Sequence, residues 1–385
     1  MITRLHLRNF AAFSDLEIDF SPKINVIIGE NGTGKTQLMK AAYALSAGAA
    51  TREDQLPLGK KALAAGITSK LLRLFMPLDD HLGRLHHIGA TGNASMQAQF
   101  SLGQEIVGAF GARSKSLVIK NYTSSNQAYG APVFIPTKEV LAWIKTISSP
   151  GSDKETVRNL FDDTYLDLCS ALMVDVSDQE RRFDLENPRF GDVFPRMVNA
   201  IGGKFEFVEG RFRFRAGRYQ ERRATHQYKY GDKVEAVFHP IKGSDLSNNM
   251  TAEGFRKIGI LQQLLTNQSL NPDVSGSLFW DEPESNLNPR LIRLLVEILL
   301  ELSRNGQQII LATHDYVLLK WFDLLVDLGK ADHVRYHSLY RENATVPLRI
   351  NSTNEYLAIA PNSIDDTFAA LINTELDRAM EGLGK

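Results

Sequence analysis

Apolar and polar residues alternate along the first twenty positions of the chain. Leu5 and Leu7 are flanked by polar neighbours, and residues 16–20 repeat the pattern. A period of two residues is typical of half-buried antiparallel strands. Residues 23–28, KINVII, form a short and nearly continuous apolar run instead, which predicts a buried strand. Residues 2–28 are therefore predicted to form three strands in succession.

The middle of the chain gives fewer signals. Residues 46–130 show weak periodicity, whereas PVFIP at 132–136 predicts one short buried strand. Ser152 and Glu155 form a capping-box pattern, and apolar residues at helical spacing follow it. Together these features predict one helix that ends near residue 173.

Residues 204–215, KFEFVEGRFRFR, give the clearest hairpin pattern, with Glu209-Gly210 as the turn. Aromatic and basic side chains alternate along it. The aromatic set is Phe205, Phe207, Phe212 and Phe214, and the basic set is Arg211, Arg213, Arg215, Arg218, Arg222 and Arg223. Interleaved aromatic and basic residues could form a nucleic-acid surface. We favour the alternative, an amphipathic hairpin with its phenylalanines on the core, because any half-buried sheet produces this alternation.

The stretch from residue 251 predicts a helix followed by a β-α-β unit. The helix carries an apolar stripe of Phe255, Ile258, Leu261, Leu264 and Leu265. Residues 277–284, SLFWDEPE, then read as an apolar strand that ends in two carboxylates. Asn288 and Pro289 are typical of a helix start, and Asn305-Gly306 of a helix end. Residues 307–313, QQIILAT, form the second strand, which should be parallel to the first.

The C-terminal stretch, residues 363–383, is predicted to be one more helix. Ser363 with Asp366 would cap its N-terminus. Its apolar residues fall on one stripe, namely Ile364, Phe368, Leu371, Ile372, Leu376 and Met380. We expect this stripe to pack on the same chain or on a partner chain.

Composition narrows the class of protein. A length of 385 residues suggests two or three domains. The net charge of −1 gives no global attraction to nucleic acid, so such binding would have to be local. The single cysteine, Cys169, rules out an internal disulfide framework. With no apolar run of membrane-spanning length and no signal-peptide pattern, we expect a cytoplasmic protein without a membrane partner.

Residues 29–36, GENGTGKT, match the phosphate-binding pattern G-x-x-x-x-G-K-[ST], and they lie between a predicted strand and a predicted helix. A chance glycine-rich turn would rarely fill every position in this context. We therefore predict that all eight residues bind the phosphates of ATP: Gly29, Glu30, Asn31, Gly32, Thr33, Gly34, Lys35 and Thr36. Lys35 would reach the β- and γ-phosphates, and Thr36 would ligate Mg²⁺.

Three residues near the other end of the chain complete a site for phosphoryl transfer. Asp281, at the end of its strand, would hold Mg²⁺ through water, and Glu282 would orient or deprotonate the attacking water. His314, at the end of the next strand, would touch the γ-phosphate. An Asp-Glu pair alone is more often a solvated turn, and a lone histidine is more often a surface residue. Here the Asp-Glu pair ends an apolar strand, follows a phosphate-binding loop in the chain, and precedes a strand that ends in histidine. This order favours a role in phosphoryl transfer for all three residues.

These motifs resemble the ABC-type AAA ATPases, within the branch that holds the SMC, RecF and OLD-family proteins. LHLRNFAAFSDLEIDF is similar to the opening of that branch, and INVIIGENGTGKT to its Walker A motif. LFWDEPESNLNP resembles its Walker B motif and D-loop, and IILATHD its switch histidine. The resemblance covers residues 1–45 and 245–320. It implies an α/β P-loop NTPase fold: an ABC-ATPase-like head with a mixed sheet, N-terminal antiparallel strands and an inserted α+β lobe.

On this basis we expect a discontinuous ATPase core at residues 1–130 and 245–340. An inserted α+β lobe with the basic-aromatic hairpin would occupy 131–244, and a helical tail 341–385. The chain departs from the family in two motifs. The signature motif has only TAEGFRK as a counterpart, in which Ala252, Glu253 and Gly254 would take that role. The Q-loop glutamine is not assigned, and its candidates are Gln97, Gln99, Gln104 and Gln127.

The resemblance also implies a homodimer in which two heads sandwich two ATP molecules. The chain has no long heptad tract for a coiled-coil arm. The stretch after His314 is too short for the TOPRIM nuclease of OLD-type proteins, so a nuclease or toxin would be a partner protein. Compact ATPases of this kind resemble the ATPase subunits of two-gene bacterial antiphage systems.

Three functions remain open from the sequence. The first is an ATP-hydrolysing switch that acts on DNA or RNA. The second is an ATP-loaded scaffold or sensor that holds a toxin or nuclease with little turnover. The third, the ATPase of an ABC transporter, is the weakest, because it would need a membrane partner and a full signature motif.

Overall fold

The computed structural model describes residues 1–50, 59–125, 129–148, 151, 153–174, 193–208, 210–223, 234–271, 275–343 and 346–380. The chain divides into two compact units. The first comprises Met1–Thr137, Pro272–Glu284 and Gly306–Lys385, and the second comprises Lys138–Asn271 and Ser285–Asn305. Within the described ranges, no helix combines the length and the apolar character that a membrane span requires.

The first unit contains an antiparallel sheet with the strand order β2-β1-β4-β5-β6. Its strands are β1 (Ile2–Phe10), β2 (Phe13–Asp19), β4 (Ala94–Phe100), β5 (Glu105–Phe110) and β6 (Val118–Thr123). Leu5 pairs with Ile18 and Leu7 with Leu16, and all four side chains are buried. The alternation in the sequence thus predicted the first two strands correctly.

A second sheet of the first unit has the order β14-β13-β3-β12-β11-β7. Its strands are β3 (Ile24–Gly29), β7 (Val133–Ile135), β11 (Leu278–Asp281), β12 (Ile309–Ala312), β13 (Val334–Tyr340) and β14 (Arg349–Thr353). All neighbours pair in parallel except β13 and β14. The buried third strand, the strand at 132–136 and the parallel pair β11–β12 confirm the sequence predictions. The parallel strands all end at one edge of the sheet, which we call the carboxyl edge.

The first unit also contains several helices. They are α1 (Lys35–Ala49), α2 (Lys60–Phe75), α9 (Tyr316–Leu325) and α10 (Ser363–Met380). Tyr43 of α1 packs edge-on against Phe134 of β7 and Phe279 of β11, which stack on each other at 6.0 Å. Aromatic pairs in these geometries add to the free energy gained by burial alone. The cluster fixes α1, and with it the loop that precedes α1, over the parallel sheet.

The second unit contains a sheet of order β10-β9-β8, with β8 (Gly203–Val208), β9 (Arg211–Arg223) and β10 (Val234–Ser247). Its helices are α3 (Ile144–Ser148), α4 (Lys154–Leu160), α5 (Asp163–Leu172), α6 (Val193–Ile201), α7 (Glu253–Thr266) and α8 (Pro289–Arg304). Strands β8 and β9 form the predicted hairpin, in which Phe205 pairs with Phe214. Glu209 of the predicted turn lies outside the described residues. The sequence did not predict β10, which extends the hairpin on the β9 side.

Several helix predictions need correction. The single helix expected to residue 173 is two helices, because Phe161 is extended and Asp162 caps a new start by accepting from Thr164 N. The first of them is capped by Asp153, whereas Ser152 of the predicted capping box lies outside the described residues. Helix α7 is buried on more than its predicted apolar stripe. Gln262 and Gln263 are also buried, and their side chains hydrogen-bond to backbone groups.

The C-terminal helix also differs from its prediction. It is capped by Asn362, whose side chain accepts from the backbone N–H of Asp365, and not by Ser363. Ile364 is buried and Phe368 stacks on Tyr316 at 4.1 Å. From Leu371 onward every described residue is exposed, so the outer half of the apolar stripe does not pack on the described part of its own chain. Residues 381–383 of the predicted helix lie outside the described ranges.

Gln308 ties the two sheets of the first unit together. This buried side chain accepts from the backbone N–H of Ile2 and donates to the carbonyls of Ile2 and Ser21, both at 2.8 Å. It also accepts from the hydroxyl of Ser277. One amide group thus satisfies backbone atoms where β1 begins and where the chain turns towards β3.

We predict that Gln308→Leu lowers the free energy of unfolding by about 1–3 kcal/mol, because backbone donors and acceptors are left buried without partners. Thermal melting of the two proteins measures the change. Gln220→Leu, the same substitution at an exposed position of β9, is the matched control. Equal melting temperatures for Gln308→Leu and wild type would contradict the stabilising role of the Gln308 hydrogen bonds.

Candidate functional site

The glycine-rich loop lies at the carboxyl edge, between β3 and α1. Gly29 has φ +148°, and a Cβ there would lie 2.3 Å from the carbonyl oxygen of Leu339 on β13. Gly34 has φ +83°, and its Cβ would meet the Phe13 ring at 3.0 Å. Both positions therefore require glycine, one for a close strand approach and one for a left-handed turn. Gly32 also has a positive φ, but faces open space.

The loop encloses the side chain of Lys35, the first residue of α1. Its ammonium donates to the carbonyls of Gly29 at 2.7 Å and Glu30 at 3.1 Å. Burial lowers the pKa of Lys35, while the nearby carboxylates of Asp281, Glu282 and Glu284 raise it. The first backbone N–H groups of α1 point out of the same turn, and a helix N-terminus favours an anion. This arrangement suits a phosphate.

Thr36 and Asp281 meet although 244 residues separate them in sequence. The hydroxyl of Thr36 donates to Asp281 Oδ2 at 2.8 Å, and Thr137 also hydrogen-bonds to this carboxylate. Burial raises the pKa of Asp281, and the hydrogen bond from Thr36 opposes that shift. The sequence analysis missed Thr137. Its signal is weak: a polar residue just after the short strand β7, which pairs with β11.

Glu282 and His314 also meet at the carboxyl edge. His314 Nδ1 lies 3.3 Å from Glu282 Oε1, and the histidine side chain is half exposed. The backbone of Glu282 adopts φ +49°, while its N–H donates to the carbonyl of Ala312 at 2.9 Å. A left-handed conformation at a residue with a long side chain costs of order 1–3 kcal/mol, and such strain is concentrated at functional sites.

The residues present fit Mg²⁺ that is bound together with a nucleotide. Thr36 and Asp281 offer a hydroxyl and a carboxylate oxygen side by side, and Mg²⁺ prefers oxygen ligands. Among the described residues, no group of three or more His, Cys, Asp or Glu side chains could hold a metal ion. Magnesium in such sites takes one or two protein ligands and completes its shell with phosphate and water. The pair therefore suits a cation that binds together with a phosphate ligand.

The segment predicted as a signature motif lies in the second unit, at the start of α7. Ala252 is the N-cap residue and its side chain makes no capping hydrogen bond. Glu253 accepts from Asn286 Nδ2 at 2.8 Å, and a Cβ at Gly254 would lie 2.8 Å from the carbonyl oxygen of Asn286. The chain's own packing therefore requires Gly254. Ala252 is exposed, so it is the position at which the motif can be altered without a clash.

The Q-loop remains without an assigned residue. Gln97 and Gln99 on β4 both donate to Glu105, at 2.9 Å and 3.1 Å. Gln104 is buried, and its side-chain amide has no hydrogen-bond partner among the described residues. Gln127 lies outside the described ranges. In the part of the chain that the structure describes, none of these candidates is among the residues that hydrogen-bond to the Asp281 carboxylate, which are Thr36 and Thr137.

The basic face of the hairpin is partly neutralised within its own sheet. Arg213 lies 3.1 Å from Glu206 and 3.4 Å from Asp245, and Arg215 lies 4.0 Å from Glu206. Phe205, Phe212 and Phe214 are buried on the other face. The side chains of Arg222 and Arg223 lie outside the described residues. These contacts favour the amphipathic-hairpin interpretation over a nucleic-acid surface.

We therefore predict that replacing Arg211, Arg213 and Arg215 with Ala leaves the salt dependence of any DNA or RNA binding unchanged. If these arginines contacted phosphates, the slope of log affinity against log salt would flatten by roughly 0.9 per lost contact. Filter binding at several salt concentrations measures the slope for both proteins. A flattening of nearly three units, roughly 0.9 for each of three contacts, would overturn our interpretation of the hairpin.

Comparisons with known proteins agree with this arrangement of motifs. Residues 174–320 match a family described as "AAA domain, putative AbiEii toxin, Type IV TA system", and residues 4–55 match one described as "AAA domain". The DNA replication and repair protein RecF of Bacillus mycoides (strain KBAB4) is 51% identical over 45 residues, 12% of each chain. RecF of Oenococcus oeni (strain ATCC BAA-331 / PSU-1) is 30% identical over 112 residues, 23% of this chain and 30% of the relative. The chain thus matches less than a third of the length of either protein.

Among solved structures, the fold is similar to that of an SMC head bound to the C-terminal winged-helix domain of ScpA. The superposition has a TM-score of 0.51 with 14% identity, and it covers 92% of this chain and 97% of the SMC head. At this identity the likeness concerns the fold alone.

Proposed function

We propose that this chain, an SMC/RecF-like ABC-type ATPase in its fold and motifs, binds ATP with Mg²⁺ at the carboxyl edge and hydrolyses it. The observation that carries the proposal is the hydrogen bond between Thr36 and Asp281, beside a loop that encloses Lys35. The proposed phosphate cradle and the proposed cation site are therefore adjacent. Phosphoryl transfer depends chiefly on such positioning and on electrostatic stabilisation.

Each residue then has a role that its position supports. The loop amides and Lys35 would hold the β- and γ-phosphates, and Thr36 and Asp281 would hold the cation, which would neutralise charge on those phosphates. Glu282 orients the attacking water and accepts its proton. His314, which contacts Glu282, would face the γ-phosphate.

The first prediction of this proposal concerns Glu282. Glu282→Gln should bind ATP normally but lower kcat on the order of a hundredfold, the usual contribution of a positioned general base. Lys35→Ala should instead lose ATP binding, because it removes the cation that faces the phosphates. Equilibrium binding of labelled ATP and steady-state phosphate release measure both effects.

Glu355→Gln, the same chemical change at an exposed position outside the site, is the matched control and should retain wild-type turnover. Unchanged turnover in Glu282→Gln would remove Glu282 from the mechanism. Tight ATP binding with negligible turnover in the wild type would favour the alternative, an ATP-loaded scaffold or sensor.

We propose further that two copies of the chain sandwich ATP, with Ala252, Glu253 and Gly254 of one copy facing the γ-phosphate held by the other. The N-terminus of α7 would supply unpaired backbone N–H groups to that phosphate. Ala252 sits at its exposed end, without a capping side chain. Each site would then need residues from both copies.

Ala252→Asp tests this arrangement without damaging the fold, because aspartate is a favourable N-cap residue. The added charge should repel the partner's phosphate and abolish hydrolysis, whereas Ala252→Asn, which can cap the same N–H groups without the charge, should lose much less activity. Mixing the Ala252→Asp and Lys35→Ala proteins should restore up to about half of the activity per mixed dimer. In that dimer one site carries both substitutions, and the other site carries neither. Full activity of Ala252→Asp alone would contradict the sandwich.

We also propose that ATP turnover is coupled to a toxin or nuclease partner in bacterial antiphage defence. Support comes from the family description that names an AbiEii toxin over residues 174–320. The similarity to RecF supports DNA as another ligand. Turnover measured with and without DNA or RNA separates the two couplings, since only the second predicts stimulation by nucleic acid alone.

A further inference from the structure

Glu284 is a buried carboxylate close to the proposed site that the roles above do not use. It follows Asp281 and Glu282 and is only 8% exposed. Its Oε1 atom accepts from the hydroxyl of Thr313 at 2.7 Å and from the backbone N–H of His314 at 3.4 Å. Glu284 therefore links the segment after β11 to the segment after β12.

The link continues into the turn that carries His314. The hydroxyl of Thr313 accepts from the backbone N–H of Asp315 at 3.0 Å. Asp315 in turn caps α9 by accepting from Leu318 N at 2.6 Å. Residues 313–315 are thus held at one end by Glu284, together with the Thr313 N–H that donates to the carbonyl of Ile27 on β3 at 3.0 Å, and at the other end by the start of α9.

The side chain of His314 has less support than its backbone. It is half exposed, and its ring lies 3.3 Å from the Glu282 carboxylate. The direction of the ring therefore depends largely on where the backbone of residues 313–315 is held. A change in the backbone conformation of that turn would move the imidazole relative to Glu282.

The second carboxylate oxygen of Glu284 contributes nothing visible to this link. Oε2 is buried and has no hydrogen-bond partner among the described residues. Burial raises the pKa of Glu284, and a buried carboxyl group costs free energy that an apolar side chain of similar size would avoid. What the residue adds over an apolar one is the acceptor at Oε1.

We propose that Glu284 is a positioning residue, which holds the turn at residues 313–315 through Thr313 and thereby aims His314 at the site beside Glu282. The inference rests on the proposed function, which assigns His314 to the γ-phosphate. It adds a residue that acts on hydrolysis without touching the substrate.

A double-mutant cycle with His314 tests this directly. Glu284→Ala should lower kcat on the order of tenfold to a hundredfold, as expected for a misplaced catalytic group, and should leave the KM for ATP nearly unchanged. In a His314→Ala background, Glu284→Ala should cause little further loss, because the residue acts through His314. Glu284→Gln should recover most of the rate, since its amide oxygen can accept the same two hydrogen bonds.

Thr313→Val provides a second variant if Glu284→Ala folds poorly. It removes the hydroxyl from the other side of the same hydrogen bond while keeping the volume of the side chain. It should lower kcat in the same way and should also add little to His314→Ala. Amide hydrogen exchange in nucleotide-free protein gives a readout that does not need activity: exchange at residues 313–315 should be faster in Glu284→Ala than in Glu284→Gln.

The outcomes separate this inference from the proposed function. Strong and independent losses from Glu284→Ala and His314→Ala, or unchanged exchange at 313–315, would overturn the positioning role and leave the ATPase proposal standing. Full activity of His314→Ala would overturn the role given to His314 and the positioning role together. Absence of ATP hydrolysis in the wild type would remove the proposed function itself.

Discussion

The hydrogen bond between Thr36 and Asp281 is the contact on which the site depends. It forms because β3 and β11 end at the same edge of one parallel sheet, with β12 between them. Parallel pairing aligns the ends of these strands, so the segments that follow them come together although they are far apart in the sequence. The same geometry brings His314, which follows β12, to Glu282, which follows β11. The chemistry proposed for the chain therefore follows from strand order.

Two other constraints hold the loop in place. The aromatic cluster of Tyr43, Phe134 and Phe279 fixes α1 on the parallel sheet. Phe13, from the antiparallel sheet, packs at Gly34, and the backbone of Ala12 donates to Gln37 Oε1 at 3.1 Å. Because both sheets contact the loop region, its backbone is supported from two sides. Such support suits a preorganised electrostatic site, which needs little rearrangement during the reaction.

Local patterns predicted much of this arrangement. Alternation gave β1 and β2, the apolar run gave β3, and the glycine spacing gave the loop. Contacts between distant segments were harder to predict. Thr137 reaches Asp281 because β7 pairs with β11, and no local pattern predicts that pairing. The role proposed for Glu284 depends on Thr313, which follows a different strand.

The burial of α7 is another such case. The sequence predicted its apolar stripe, but Gln262 and Gln263 are buried as well. Their side chains are hydrogen-bonded to backbone groups of other segments, which makes that burial possible. Polar residues outside the apolar stripe of an amphipathic helix usually face water. The break at Asp162, in contrast, has a local cause: its side chain caps the next helix through Thr164. Aspartate is a common N-cap residue, so this helix start has a local signal in the sequence.

The central claim is that a nucleotide and its cation bind at the carboxyl edge, at Thr36 and Asp281. The most direct measurement is anomalous diffraction from crystals grown with Mn²⁺ and a non-hydrolysable ATP analogue. Our account predicts one manganese peak within coordination distance of the Thr36 hydroxyl and near the Asp281 carboxylate, with the phosphates inside the 29–36 loop. A nucleotide bound elsewhere, or manganese bound away from both residues, would contradict it.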